Sequence, residues 1–489
     1  MRKLLRLLPV AALLSACSGS SPAPVESTPA VEDDFDSFVD GKADTGYVSA
    51  RAAELEATIT AKVRVRLAGK TPEELQTLAD TLKSNPGDYS LWSITQNVTE
   101  QIKYARNTLK AQKYDLNLEG GTPTFTAVDV IDQGLDLSYS VKLESLVKFK
   151  ELADAGVKVA DLVGKTVDIV LPLEPAGLFE RITATCAKDP DGDPLDAAEL
   201  NADNLFYYWS PTETTCPLKA EDLVTARYEV KSSVDTPTVF PEYDKLIADG
   251  KISMVAIFGQ IEHGTLTEED WGFISFDQFT SNLRQRGFAV EEEFADNMGH
   301  RLGRTYASGL KVTIDMYTPV GFGDAVPKES SQQRFREAIR NHEIVYYGGH
   351  AFYGSLDVLD DPAAYPPDTY QIIFMDACWS YAYYTKQVFR HKATATDPTG
   401  WELVDVVNNT EMGNTGSEGV TSVALFGNIF KGATAVKANQ SAAKYSWNNL
   451  IEYMNVSSDK LASEDPTGET KPEIYGASGV RTNKFKPAH

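Results

Sequence analysis

Two residues at the ends of apolar runs have the types needed for nucleophilic catalysis. His350 follows Ile344-Val345-Tyr346-Tyr347 and the pair Gly348-Gly349, and Cys378 follows Ile372-Ile373-Phe374-Met375 and Asp376-Ala377. A thiol is mostly protonated at neutral pH. A nearby imidazole, or a helix N-terminus after the cysteine, lowers its pKa and yields the thiolate nucleophile. The same imidazole can protonate a leaving amine. The backbone N–H of Cys378 and those of the stretch from Gly349 to Ala351 are the candidate oxyanion donors. Taken singly, His350 reads as a satisfied structural histidine and Cys378 as a buried inert thiol. Their placement on successive strand ends raises the pair above either alone. His263 follows an earlier apolar run and is the reserve base, while His300, His342, His391 and His489 lack such a context. Trp379 is placed to wall a pocket. Asp376 and Asp405 are the nearest acidic candidates, with turn capping and strand-end acceptance as their simpler roles.

The elements that must position this pair come from the last part of the chain. Residues 239–489 alternate strand and helix patterns, which predicts an α/β unit with a mostly parallel sheet covered by helices on both faces. Its expected strands are Ile252 to Phe258, Lys311 to Tyr317, Ile344 to Tyr347, Ile372 to Met375 and Leu403 to Val407. Expected helices start at Ser275, with Gln278 completing a capping box, and at Ser330 with Gln333. A further helix carries Val420, Val423 and Ile429 and is expected to stop at Gly432. Sites in such sheets gather at the carboxyl ends of the strands. The 28 positions from His350 to Cys378 suffice for one irregular loop and one strand.

Two segments precede this unit. Residues 47–115 are expected to be helical: Ala53, Leu55 and Ile59 begin one pattern, and Thr71-Pro72-Glu73-Glu74 reads as a capped helix start. Residues 116–238 are expected to be β-rich, with strands at Phe125 to Ile131, Val167 to Leu171 and Leu205 to Trp209. The loop from Asp189 to Asp196 has carboxylates that could suit Ca²⁺, but its spacing is not an EF-hand and a solvated turn is preferred. No metal and no organic cofactor is expected.

The order of these motifs resembles the caspase–gingipain–legumain clan of cysteine peptidases. An apolar strand ending at a histidine beside glycine is followed by an apolar strand ending in Asp376-Ala377-Cys378. The run Val255-Ala256-Ile257-Phe258-Gly259 and the helix end Leu283 to Phe288 are similar to the opening of a caspase fold. The resemblance covers about residues 250 to 440. It implies a cysteine endopeptidase with Cys378 as nucleophile and His350 as general acid/base, acting on a peptide or protein substrate. The clan has Gly after the histidine where this chain has Ala351, which bears on one oxyanion donor. That departure sustains a second expectation, a catalytically silent surface protein acting in binding or adhesion.

The N-terminus reads as a targeting segment. Arg2, Lys3 and Arg6 precede an apolar stretch from Leu7 to Leu14, and residues 1–17 end in Leu14-Ser15-Ala16-Cys17, which resembles a lipobox. Cys17 is then the lipid-bearing residue, and Ser18 after it fits sorting to the bacterial outer membrane. Residues 18–46, rich in Ser, Pro and acidic side chains, read as a disordered tether. In an oxidising compartment Cys186 and Cys216 are expected to pair, leaving Cys378 over. A net charge of −24 argues against a nucleic-acid partner. The expected membrane contact is the lipid anchor.

Overall fold

Leu55, Ala57, Ile59, Ala61, Val63 and Val65 alternate along the chain, and all six are buried. This two-residue period builds a strand, β1 (Ala52–Arg66), where a helix was expected. The spacing of Leu55 and Ile59 fits a helical turn, but the alanines between and after them complete the buried face of a strand. The computed structural model that gives this fold describes residues 45–488 apart from 87, 190–194, 196, 199, 235–236, 353–355, 417 and 469. The leader with Cys17, most of the tether and most of the Asp189–Asp196 loop lie outside the described residues.

Among the described residues fourteen strands form two sheets. The first contains β1, β2 (Asp115–Leu116), β3 (Thr124–Ile131), β4 (Gly134–Lys148), β5 (Thr166–Pro172) and β6 (Leu223–Ser233). Its order is β2-β4-β1-β6-β5, with β3 paired to β4, and every pairing is antiparallel. The helix Pro72–Ser84 starts as its sequence requires, with Thr71 as N-cap, a proline in the first turn and Glu74 closing the capping box. The expected strand at Leu205 to Trp209 is instead a 3₁₀ turn, Leu205–Tyr208, whose first three side chains are buried. Cys186 and Cys216 are joined by a disulfide with Cα atoms 4.5 Å apart.

The second sheet contains β7 (Lys251–Phe258), β8 (Ala289–Glu293), β9 (Gly299–Thr305), β10 (Lys311–Tyr317), β11 (Ile344–Gly348), β12 (Gln371–Asp376), β13 (Val404–Asn409) and β14 (Tyr475–Ser478). Its order is β14-β13-β12-β11-β7-β10-β9-β8. The five strands from β13 to β10 are mutually parallel, and the outer pairings β13–β14, β10–β9 and β9–β8 are antiparallel. Helices Trp271–Gln285, Glu418–Lys437 and Trp447–Glu464 cover one face with an apolar core. The helix at 271 starts from Asp270, whose carboxylate accepts the Gly272 N–H, so Ser275 lies inside it. The helix at 328 likewise begins two residues before Ser330. Gly432 does not stop the helix that contains it. Helix Lys328–Asn341 packs on the other face, where the core runs without a break into the antiparallel sheet. Among the described residues no helix is long and apolar enough to cross a membrane.

Candidate functional site

β11 and β12 are neighbours in register, with Gly348 opposite Asp376. His350 and Cys378 each lie two residues beyond those ends, so both emerge at the carboxyl edge of the parallel sheet. Both are deeply buried, at 2% exposure each. The His350 Nε2 lies 2.8 Å from the Ile261 carbonyl oxygen, which only a donating N–H satisfies. The His263 ring stacks on it at 5.7 Å with planes 7° apart, so the reserve histidine shares the strand tip. Phe352 meets the His350 ring edge-on at 5.7 Å.

Cys378 corrects an expectation. It is not left over as a thiol: it is disulfide-bonded, to a partner outside the described residues. Its sulfur also accepts the Gly413 N–H at 3.3 Å. The chain has four cysteines. With Cys186 and Cys216 joined to each other, an acylated Cys17 and an intrachain bond at Cys378 exclude one another.

The backbone around the pair is strained. Phe352 and Trp379 have φ of 46° and 48°, in the left-handed region that bulky residues avoid. Each costs on the order of 1–3 kcal/mol, and such outliers cluster at functional sites. Of the expected oxyanion donors, the Gly349 N–H is employed elsewhere, donating to the Asp376 carbonyl at 3.3 Å. Ala351 is buried, and its carbonyl accepts the Tyr384 hydroxyl.

The two acidic candidates take structural roles. The Asp376 side chain turns to the helical face, where Ser422 Oγ donates at 2.6 Å and Tyr346 at 3.1 Å. Burial pushes its carboxyl up to about 6. Asp405 pairs in register with Ile372, at the amino end of the sheet, so it is not brought to the strand tips. Tyr370, Trp447 and Asn483 donate to it at 2.5, 2.7 and 2.8 Å, and burial pushes it up to about 7.

The elements around the first sheet reach this edge with residues that carry no chemical signal in the sequence. Trp379 packs against Tyr207 at 4.5 Å between ring centroids, and the Arg106 guanidinium lies 3.8 Å from the Tyr207 ring and 4.8 Å from the Trp379 ring. Asn117 Nδ2 donates to the Tyr381 carbonyl at 2.7 Å, and the Leu118 N–H to the Ala382 carbonyl at 2.9 Å. Glu119 caps the helix Lys386–Lys392, accepting the N–H groups of Thr385, Lys386 and Gln387 at 2.7, 2.8 and 2.6 Å. The segment after Cys378 is thereby clamped, and the cavity between Arg106 and Trp379 is only about 10 Å³.

A larger opening lies elsewhere on the same face. A groove of about 450 Å³ runs between β9, β10 and the helix Lys328–Asn341. Arg301, Lys311 and Arg334 line it with Glu291, Asp315 and Glu337, three charges of each sign. Burial would push Asp315 up, but Arg301, bonded at 2.5 and 2.8 Å, and His342 at 3.3 Å outweigh it and hold it at about 2. Among the described residues no group of three or more His, Cys, Asp or Glu side chains is placed to hold a metal ion.

No family model, no curated protein and no solved structure matches this chain.

Proposed function

We propose that this chain is an exported bacterial envelope protein built on a caspase-like sheet, catalytically silent at its strand tips, that binds polar peptide segments of a protein partner. The observation that carries this reading is the state of the central pair. Cys378 is bonded through its sulfur, the His350 Nε2 is occupied by Ile261, and both side chains are sealed from solvent. A nucleophile needs a free thiolate and a substrate carbonyl within reach. The mixed-charge groove beside β10 is wide enough and offers complementary partners to a polar chain. Export is supported by the leader and by the Cys186–Cys216 bond, which oxidising compartments permit. The mass of the mature N-terminal peptide reads whether Cys17 is acylated, an outcome that would exclude an intrachain bond at Cys378 and so overturn the observation that carries this reading.

The second reading, an active cysteine endopeptidase, is favoured by one arrangement: His350 and Cys378 follow neighbouring parallel strands, with strained residues just beyond both. One experiment separates them. The native full chain is treated with iodoacetamide and a panel of peptidyl acyloxymethyl ketones, with and without a thiol reductant. The silent reading expects no ketone adduct on Cys378 while the protein stays folded. An adduct that forms rapidly and is lost in His350→Ala establishes the peptidase instead. For the groove, Arg334→Ala is expected to weaken capture on a mixed-charge peptide array on the order of tenfold. Unchanged capture would remove the groove from the proposal.

A further inference from the structure

Where the two sheets meet, five charged side chains of low exposure form one cluster. Lys110 lies 2.9 Å from Asp115 and 3.2 Å from Glu411, and Lys148 contacts both carboxylates as well. Their exposures run from 11% to 19%. Arg106, at 4%, is the third cation. Among the described residues three cations face two carboxylates, so the cluster carries one positive charge in excess at low exposure. Burying such a charge costs heavily unless an opposite one joins it.

The orphan charge and the orphan donors coincide. The Arg106 Nη1 is buried and has no acceptor among the described residues. The same is true of Trp379 Nε1, on a side chain 5% exposed. Both residues line the cavity of about 10 Å³, together with Lys110, Asp115 and Thr410. A cavity needs about 10–15 Å³ to hold one water-sized occupant. Arginine and indole N–H groups can only donate, so the occupant must accept. A water would satisfy a hydrogen bond and leave the charge in place. The aromatic faces of Tyr207 and Trp379 soften that charge and Tyr207 also hydrogen-bonds the guanidinium, but neither supplies an acceptor to Nη1.

We propose that this cavity binds a single halide ion, chloride in its natural setting, between Arg106 and Trp379. The ion neutralises the cluster and ties the residue after Cys378 to the antiparallel sheet. It would be a structural ligand, independent of whether the strand tips are active.

The test uses the full chain. Thermal midpoints are measured against sodium chloride and against sodium gluconate at matched ionic strength. Chloride is expected to raise the midpoint along a saturating curve. Trp379→Phe keeps the ring and removes one donor, and is expected to raise the half-saturating chloride concentration at least about tenfold. Arg106→Met is expected to abolish the chloride dependence. Crystals soaked in bromide should give an anomalous peak within hydrogen-bonding distance of Arg106 Nη1. Equal midpoints in chloride and gluconate would overturn the proposal. So would a bromide soak with only water at the cavity, or an unaltered chloride response in Trp379→Phe. If Arg106→Met does not fold, Trp379→Phe and the bromide peak decide.

Discussion

The antiparallel sheet and the helix-covered face of the parallel sheet bury carboxylates in opposite ways. On the first, each is met by cations. Asp136 takes the Arg64 fork at 2.7 and 3.0 Å and Lys62 at 2.7 Å. Glu144, fully buried, takes Lys386, and Glu54 takes Arg481 at 2.7 Å. On the second, the hydrogen bonds to Asp376 and Asp405 come from hydroxyl, indole and amide groups that carry no charge. The electrostatic consequence has opposite sign. Arg64 and Lys62 outweigh burial and hold Asp136 below its ordinary value, whereas burial prevails at Asp376 and Asp405 and lifts both. The helix-covered face of the parallel sheet therefore approaches neutrality, whereas Asp315 on its other face is paired with Arg301, and the antiparallel sheet is joined to its neighbour by ion pairs. Glu144–Lys386 and Glu54–Arg481 cross between the two units, where charge can fix their register, while Asp136 is paired within its own sheet.

The largest effect should come from removing a cation at that junction. Lys386→Met strips the cation from Glu144, which has no exposed surface. Breaking a buried pair from one side costs about 3–5 kcal/mol, because a charge remains in a poor medium. Urea unfolding is expected to show that loss, and the double variant Lys386→Met/Glu144→Leu should restore most of it. A loss below about 1 kcal/mol in the single variant would show that Glu144 does not depend on this pairing.

The parallel sheet predicts a different signature. Asp405 rises from 3.8 to about 7 on folding, so between those values the native chain holds more protons than the unfolded chain. Stability then falls as pH rises through that window, by at most about 1.4 kcal/mol per pH unit for one group. Asp376, raised to about 6, adds slope of the same sign. Asp136 works the other way, its stabilisation being lost only as pH falls below 3.8. Asp405→Asn is expected to flatten the pH 4 to 7 slope while changing stability at pH 4 by about 1 kcal/mol or less. A slope unchanged in that variant would remove Asp405 as its source.

The same contrast explains which parts of the fold were legible in the sequence. Parallel strands buried on both faces appear as unbroken apolar runs, and Val255 to Phe258, Ile344 to Tyr347 and Ile372 to Met375 all form strands. Because β11 and β12 are successive and adjacent, the shared edge of His350 and Cys378 followed from chain order. β1 departs from the helical pattern of its sequence because Ala57 and Ala61 are too small to mark its alternation. Leu205 to Trp209 has strand-like composition, yet its side chains are buried from a 3₁₀ turn. Arg106, Tyr207 and Glu119 carried no signal, since what they contact lies more than 100 positions away along the chain or depends on docking. The bond at Cys378 was equally hidden: spacing does not dictate cysteine connectivity.

The smallest effect tests whether charge on the antiparallel sheet is redundant or finely counted. Asp136 has two cations where Glu144 has Lys386, and Lys62 is the more exposed of the two, at 42%. Removing Lys62 leaves the bidentate Arg64 fork, which fixes both carboxylate oxygens. An exposed lysine also gains little from its pair, having solvent as an alternative and rotamer entropy to lose. Lys62→Met is therefore expected to cost below about 0.5 kcal/mol in urea unfolding. It should leave the acid limb of the stability curve almost in place, because Arg64 still holds Asp136 low. Arg64→Met should shift that limb toward higher pH, since the remaining lysine is a mobile point charge without the fork. If Lys62→Met instead costs as much as Lys386→Met, solvent exposure does not set the worth of these pairs. The division between a charge-registered junction and a near-neutral parallel core would then have to be drawn from the summed field of the cluster, not from its individual contacts.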